Sequence, residues 1–115
     1  MKAPREIRVS SDRRSISLVF TNGDARLDAE YLRVFSPSAE VRGHGPADKV
    51  LQTGKRQVEI ANVEPVGNYA IRITFSDGHD TGIYSWSYLN ELAIEREVRW
   101  QEYLDELERA GASRD

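Results

Sequence analysis

His79 is the residue whose type and surroundings are best suited to chemistry. It lies in the segment Ser76-Asp77-Gly78-His79-Asp80, where a neighbouring carboxylate can fix the tautomer of the imidazole or raise its pKa. The same segment has the composition of a tight turn, because Asp-Gly readily adopts turn conformations. The simpler interpretation is therefore that His79 caps backbone groups in its own turn, and a functional histidine is the alternative.

The second histidine, His44, lies in a glycine-rich stretch beside Arg42. Backbone amides and a guanidinium can hold an anion in such a stretch, although glycines more often serve only the bends of a surface loop. Together with His79 and a carboxylate such as Asp77 or Asp80, His44 would supply the ligand types of a facial-triad iron site. The spacing is not the usual one for that site, so the ligand types alone carry little weight.

Several other chemistries are excluded by the residues that are missing. The chain has no cysteine, which excludes disulfides, thiolate metal ligands and cysteine nucleophiles. A phosphate loop would require glycine at position 49 and serine or threonine at position 56, and these positions hold Lys49 and Arg56. A Ser–His–Asp hydrolase has the residue types but no Gly-x-Ser-x-Gly elbow. We therefore expect no complete catalytic or metal site and no enzymatic activity.

The composition favours a single domain over residues 1–115. Two cores would each be short of buried area in 115 residues, and a hydrophobic content of 39% is enough for one packed core.

Residues 91–115 carry four arginines and eight acidic side chains, and five of the first fourteen residues are basic. No broad basic face is evident, so nucleic-acid binding is not expected. No segment has the length and apolarity of a membrane span or a signal peptide, so we expect a cytoplasmic protein that does not bind a membrane.

The elements that must position these residues follow from hydrophobic periodicity. Residues 15–20 alternate apolar and polar side chains and lead into Asn22-Gly23, a strong hairpin signal, with a return strand through Leu27. A short helix over residues 29–35 is predicted next, with Asp28 as its N-cap. Further strands are predicted at residues 57–63, 68–75 and 81–85. Because the strands come first along the chain and the helices last, the sequence predicts an α+β fold with a small, mainly antiparallel or mixed sheet.

Two helices are predicted at the C-terminus. Ser85 or Ser87 can cap the first, and the second is an acidic helix within residues 93–111 that ends at Gly111. Ile94 and Val98 begin an apolar stripe that has the period of a helix and continues to residue 107. Residues 112–115 are expected to be a frayed tail.

Four segments together resemble a known family. They are Glu30-Tyr31-Leu32-Arg33, residues 63–69, Phe75-Ser76-Asp77-Gly78-His79 and residues 81–89. The combination resembles the domain at the N-terminus of gamma-butyrobetaine hydroxylase, which also occurs alone in bacteria and as an extension of some Mrp-type iron–sulfur carrier ATPases. The resemblance covers roughly residues 5–92. It does not imply oxygenase activity, because in the hydroxylase that chemistry belongs to a separate, larger catalytic domain.

The resemblance also implies a zinc site that has lost its ligands. In the hydroxylase, the small domain binds zinc through three cysteines and the histidine of Asp-Gly-His. Matched residue by residue, the cysteine positions here are Ser36, Ser38 and Val41, and only His79 is retained. Serine hydroxyls are poor zinc ligands and valine has no donor atom. The resemblance therefore implies a degenerate zinc site and no cofactor.

What the resemblance implies about function is a non-enzymatic accessory domain that meets another protein. The partner is another protein of unknown identity or a second copy of the chain. The residues expected on the interaction surface are Arg33, Arg42, His44, Lys55, His79 and Tyr84. The alternative is a metal- or anion-binding sensor or carrier accessory, linked to iron–sulfur metabolism and centred on His79. Its other candidate ligands are Asp77, Glu40 and His44.

Overall fold

The first half of the fold is a three-stranded antiparallel sheet. The computed structural model describes residues 1–43 and 49–115, and its first strands are β1 (Glu6–Val9), β2 (Ser15–Phe20) and β3 (Gly23–Asp28), in that spatial order. Phe20 pairs with Gly23, so Thr21 and Asn22 alone form the β2–β3 turn. The predicted Asn-Gly hairpin is confirmed, and Gly23 takes a positive φ that a side chain would disfavour there.

A second antiparallel sheet contains the remaining three strands. These are β4 (Ile60–Val66), β5 (Ala70–Phe75) and β6 (Gly82–Ser85), again in sequence order. The turn between β4 and β5 passes through Gly67, which has a positive φ. The observed β4 begins three residues later than the predicted strand, because residues 55–58 form a turn in which the Val58 amide donates to the Lys55 carbonyl.

Four helices complete the described part of the chain. They are α1 (Ala29–Val34), α2 (Ala39–Arg42), α3 (Trp86–Ile94) and α4 (Arg96–Ala110). Ser38 and Ser85 cap α2 and α3 through their hydroxyls, and Gly111 ends α4 in a left-handed conformation. Asp28 precedes α1 as predicted but makes no side-chain capping hydrogen bond.

One hydrophobic core joins the two sheets to α1 and α3. Its fully buried side chains come from all of these elements and include Ile16, Leu18, Leu27, Leu32, Ile73, Phe75, Leu89 and Leu92. A smaller cluster of Val34, Tyr103 and Leu107 attaches α4. The predicted α+β class is confirmed. Both sheets are antiparallel, so the mixed alternative does not occur within residues 1–43 and 49–115.

The C-terminal residues are docked, in contrast to the frayed tail expected from the sequence. The backbone amide of Gly54 donates to Ser113, and that of Arg56 donates to Arg114. The Arg114 guanidinium also binds Glu30 through two hydrogen bonds of 2.7 and 2.6 Å. Glu30 is buried at the start of α1, and a buried carboxylate needs a paired cation. That requirement holds the tail in place.

Among the described residues, none of the helices could span a membrane.

Candidate functional site

His79 lies in the turn between β5 and β6 and faces the segment that joins α1 to α2. Its Nε2 is 2.8 Å from the Ser36 hydroxyl, and its Nδ1 is 3.2 Å from a carboxylate oxygen of Glu40. The imidazole is only 3% exposed. His79 therefore links two parts of the fold that are more than forty residues apart in the sequence.

The turn itself follows from its local sequence. The backbone amide of His79 donates to Asp77 Oδ1 over 3.2 Å, and the carbonyl of His79 accepts from the Phe75 amide over 2.9 Å. Gly78 has a φ of +91°, which a residue with a side chain rarely adopts. The expected turn is thus present. The side chain of His79 does not cap it, since both ring nitrogens point to groups on other elements.

Asp77 is the centre of an ion cluster beside the histidine. Its Oδ2 accepts from Arg33 Nε at 2.9 Å and from Lys55 Nζ at 2.7 Å. Burial would raise the pKa of Asp77, but the hydrogen bonds from Lys55, the His79 amide and Arg33 outweigh it and lower the pKa to about 2. The low pKa favours the ionised carboxylate, and both of its oxygens accept hydrogen bonds from within the fold.

The surroundings of His79 favour its neutral form. Burial lowers the pKa of His79, the nearby Arg33 guanidinium lowers it further, and the carboxylates of Glu40 and Asp77 only partly oppose this. In the neutral tautomer that these contacts favour, Nδ1–H donates to Glu40 and Nε2 accepts from the Ser36 hydroxyl.

A tightly packed hydroxyl network surrounds this contact. The Ser38 amide donates to Ser36 Oγ over 3.3 Å, and the hydroxyls of Ser38 and Thr81 are 2.7 Å apart. A Cβ added at Gly82 would come within 2.7 Å of Ser36 Oγ. Glycine at position 82 thus allows β6 to approach the α1–α2 segment closely.

Ser36, His79 and Glu40 follow one another as the serine, histidine and acid of a hydrolase triad do, but the serine hydroxyl is enclosed. Ser36 is 1% exposed, and its hydroxyl is enclosed by Gly82 and the neighbouring hydroxyl network. A nucleophile must reach a substrate carbonyl at about 3 Å, and Ser36, at 1% exposure, offers almost no surface to a substrate in this conformation. The geometry favours a structural network over nucleophilic catalysis.

A groove with a cavity volume of about 680 Å³ lies next to this network, between the α1–α2 segment and the helices α3 and α4. Its apolar lining consists of Val34, Phe35, Val41, Tyr88 and Val98. Its charged lining consists of Arg42, Lys49, Glu95, Arg99 and Glu102. We call this surface the helical groove.

The chain is similar to known proteins in sequence and in structure. A family model described as gamma-butyrobetaine hydroxylase-like, N-terminal, matches residues 7–90. The chain belongs to this family. The resemblance inferred from the sequence is confirmed, and no match is found among curated proteins.

Solved structures of the same fold include two NMR solution structures. One is 46% identical over 100% of this chain and 91% of that chain, with a TM-score of 0.85. The other is 44% identical over 99% of this chain and 86% of that chain, with a TM-score of 0.83. A crystal structure of a DUF971 family protein of unknown function from Acidithiobacillus ferrooxidans is 40% identical. It spans 78% of this chain and 91% of that chain, with a TM-score of 0.65.

The zinc of the gamma-butyrobetaine hydroxylase-like family does not fit the donors present here. The Ser36 hydroxyl hydrogen-bonds to His79, the Ser38 hydroxyl hydrogen-bonds to Thr81, and Val41 offers only a buried alkyl group. Zinc prefers thiolate and imidazole donors. Within residues 1–43 and 49–115, no cluster of three histidine or acidic side chains has the geometry to hold a metal.

Three of the six residues predicted on the interaction surface, Arg33, His79 and Tyr84, are buried instead. Tyr84 donates to the Leu32 carbonyl, and Arg33 pairs with Asp77. Side chains buried this deeply present almost no surface to a partner. Of the other predicted residues, Arg42 lines the helical groove and Lys55 remains partly exposed. His44 lies outside the described residues.

Two apolar residues that their spacing assigns to an apolar stripe are exposed in the fold. Ile94 is 75% exposed and Val98 is 63% exposed at the junction of α3 and α4. Glu95 between α3 and α4 is not helical, so Ile94 and Val98 lie on different helices. Each residue turns an α-helix by about 100°, so Val98 lies on the opposite side of α4 from the buried Leu107. This angular position is the signal in the sequence that separates Val98 from the buried stripe.

Proposed function

We propose that this domain is a non-enzymatic accessory module that binds another protein through an apolar patch at the α3–α4 junction. The observation that carries the proposal is the exposure of Ile94 (75%) and Val98 (63%), two branched apolar side chains next to the helical groove. Exposed apolar groups that adjoin a concave apolar surface are typical of interaction sites. We call Ile94 and Val98 the junction patch.

The charge around the junction patch supports a partner of defined chemistry. Glu91, Glu97 and Glu102 are exposed on α3 and α4, and residues 91–115 carry twice as many acidic residues as arginines. An acidic rim around an apolar centre matches a partner surface with a basic rim. Binding would then weaken as ionic strength increases, because salt screens the charges at the rim.

The experiment is affinity capture from a native extract. The double variant Ile94→Asp/Val98→Asp is compared with wild type and with Ile83→Asp, which alters an exposed apolar residue on β6. Wild type and Ile83→Asp are expected to retain one stoichiometric partner, and the double variant is expected to lose it. Capture of no stoichiometric protein by wild type, combined with a monomer in light scattering, would refute the proposal.

A second copy of the chain is one possible identity of the partner. Light scattering at several concentrations distinguishes a homodimer from a complex with another protein. If wild type is dimeric and the double variant is monomeric, the junction patch is a self-association surface. If both are dimeric, the chain dimerises through a different surface. The proposal is then tested only by whether wild type, but not the double variant, captures a partner from the native extract.

We also propose that the hydrogen-bond network of His79 replaces the zinc of the family. The support is that the three positions matched to cysteines lie on the segment that His79 contacts. The triple variant Ser36→Cys/Ser38→Cys/Val41→Cys should therefore bind about one zinc per chain, since three thiolates and one imidazole form a common structural site. Adding His79→Ala should weaken that binding.

Elemental analysis and a competition assay with a chromogenic chelator measure the zinc affinity of these variants. The single variant Ser36→Cys is the control, because one thiolate and one imidazole do not hold zinc tightly. A triple variant that folds and yet binds no more zinc than the control would show that the positions have been wrongly matched.

The alternative function is a metal- or anion-binding sensor centred on His79. The observation in its favour is that His79, Ser36 and Glu40 converge at one point of the fold. Elemental analysis of untagged wild type tests it, together with thermal shifts in the presence of zinc, iron or phosphate. Bound metal, or a thermal shift abolished by His79→Gln, would favour the sensor, and the absence of both would exclude it.

A further inference from the structure

A second groove lies between the edges of the two sheets. Each sheet has its strands in sequence order, so β1 and β4 are both edge strands. The groove between them has a cavity volume of about 440 Å³. Its lining is mainly apolar and includes Ile7, Val9, Val63, Pro65, Ile71 and Trp86. We call this surface the edge groove.

The outer side of β1 carries unpaired backbone groups. The Ser10 amide donates to the Ser15 carbonyl where β1 leaves β2, and in an antiparallel pair alternate residues direct N–H and C=O towards the partner strand. Ile7 and Val9 therefore direct theirs outwards. Within residues 1–43 and 49–115, no backbone hydrogen bond to these outward groups is found. A strand edge of this kind is a template for a further strand.

The facing edge, on β4, is protected against the addition of a strand. Pro65 has no backbone N–H, and the pairing of β4 with β5 is irregular between Ile60 and Asn62. The Arg13 side chain also donates to the carbonyls of Ile60 and Ala61, over 2.7 Å in each case. Prolines, bulges and covering groups are devices that protect edge strands. In contrast, β1 contains no proline, and its pairing with β2 is regular.

The charges beside the edge groove favour an acidic partner. Ala3 and Pro4 line the groove, and they lie between Lys2 and Arg5 in the sequence. Lys2 and Arg5 are exposed, and neither forms an ion pair among those found in the described part of the chain. The charged side chains of β1 and β4 are already paired, Glu6 with Arg8 and Glu64 with Arg72. Lys2 and Arg5 thus leave positive charge beside the groove, in a chain whose net charge is −3.

We infer that β1 accepts an extended, acidic segment of another protein as an added strand. Main-chain hydrogen bonds join the segment to Ile7 and Val9, and its alternate apolar side chains enter the edge groove and pack against Ile71 and Trp86. The addition of a strand to an exposed sheet edge is a recurring mode of peptide recognition, in which main-chain bonds give affinity and side-chain pockets give specificity. Acidic side chains of the segment complement the positive charge beside the groove.

The edge groove is separate from the junction patch. Trp86 begins α3 and Ile94 ends it, and eight residues of helix place them about 12 Å apart along the helix axis. The two surfaces share no residue. They also differ in charge, since the rim of the junction patch is acidic. The domain therefore has a second binding surface for a partner of opposite charge.

The test is an NMR titration of the isotope-labelled full chain with synthetic heptapeptides. In the probe peptide, glutamate alternates with valine, valine is the central residue, and both ends are blocked. It should shift the Trp86 indole N–H signal and slow hydrogen exchange at the amides of Ile7 and Val9. Three control peptides replace glutamate by lysine, valine by serine, or the central valine by proline. Each should bind about tenfold more weakly or worse, because it lacks the complementary charge, the apolar side chains or a main-chain donor.

Substitutions assign the binding to β1. Ile7→Pro removes an outward N–H, a change that edge strands tolerate, and should abolish binding. Ile7→Ser keeps the N–H but removes the apolar contact, and should weaken binding about tenfold. Lys2→Gln/Arg5→Gln should weaken binding about threefold to tenfold. The matched control is a variant with the same change in net charge on α4, where both residues are exposed, and it should bind as wild type does: Arg96→Gln/Arg109→Gln.

Four outcomes would overturn the inference. They are no saturable shift with the probe peptide, equal binding of the lysine or proline peptide, unchanged affinity in Ile7→Ser, and a dimer in light scattering that Ile7→Ser converts to a monomer. The last would assign the edge of β1 to a second copy of the chain. Failure of this site and failure of the proposed function are separable. Ile94→Asp/Val98→Asp should lose partner capture and still bind the peptide, whereas Ile7→Ser should bind the peptide weakly and still capture the partner.

Discussion

Replacing Asp77 by asparagine removes the charge that holds three segments of the chain together. Its carboxylate contacts Arg33 on α1, Lys55 in the segment before β4, and the backbone amide of His79. The isosteric amide keeps the shape of the turn, so the main changes are electrostatic. The Arg33 side chain is only 9% exposed and would retain its charge without a counter-ion.

The size of the effect follows from the pKa of Asp77. A decrease from 3.8 to about 2 corresponds to about 2 kcal/mol of stabilisation of the folded state, which partial exposure of the carboxylate reduces to about 1–2 kcal/mol. Leaving the Arg33 guanidinium buried and unpaired adds a further penalty. We therefore expect Asp77→Asn to lower the free energy of unfolding by about 2–3 kcal/mol at pH 7.

The pH dependence has a definite sign. Because the pKa of Asp77 is lowered by folding, its contribution is fully present above about pH 4 and is lost as the pH falls towards 2. The difference between wild type and Asp77→Asn should therefore be roughly constant from pH 7 to pH 5 and smaller at pH 3. Urea denaturation at each pH, followed by circular dichroism, measures both effects.

Asp80→Asn is the matched control for this experiment. Asp80 lies in the same turn and is exposed, and it has no ion pair among those found in the described part of the chain. Its variant should change the free energy of unfolding by less than about 0.5 kcal/mol. Equal effects of the two substitutions, or a difference from wild type that does not decrease at pH 3, would refute the argument.

Two further predictions concern other buried charges and His79. Because folding lowers the pKa of His79, the unfolded chain gains a proton first as the pH falls, and wild type should lose stability below about pH 6.5. Urea denaturation of His79→Gln between pH 7.5 and 5.5 should show no such loss. Deleting residues 112–115 leaves the carboxylate of Glu30, 10% exposed, without the guanidinium of Arg114. This should lower the free energy of unfolding by about 2–4 kcal/mol, measured by thermal and urea unfolding.

Each of these variants has a control in the same chain. His44→Gln removes the other histidine and should leave the loss of stability below pH 6.5 unchanged. If it removes that loss instead, the assignment to His79 is wrong. Deleting Asp115 alone keeps Arg114 and should have little effect. A full deletion that is equally well tolerated would show that the tail does not stabilise α1.

The sequence by itself determined most of the local structure of this protein. The alternation in residues 15–20, the Asn-Gly turn and the cap at Ser85 were all recognisable, because strand period, turn chemistry and capping depend on neighbours in the chain. The absence of cysteine was also sufficient to exclude thiolate chemistry. The family resemblance rested on short segments and needed no contact information.

Burial was decided only by the tertiary structure. Tyr84 and Arg33 were expected at the surface, but they lie inside, where Tyr84 donates to the Leu32 carbonyl and Arg33 pairs with Asp77. Ile94 and Val98 were expected to begin an apolar stripe, but both are exposed. Periodicity describes one helix, whereas exposure depends on what packs against it.

The surroundings of His79 show most clearly what the local sequence determines and what only the tertiary structure determines. The sequence indicated a histidine in an Asp-Gly turn, and that turn is present. The family resemblance already matches Ser36 and His79 to ligands of one zinc site. The contacts of Ser36 and Glu40 with the two ring nitrogens, the first across more than forty residues of chain, are seen only in the fold. No local pattern in the sequence encodes long-range contacts of this kind.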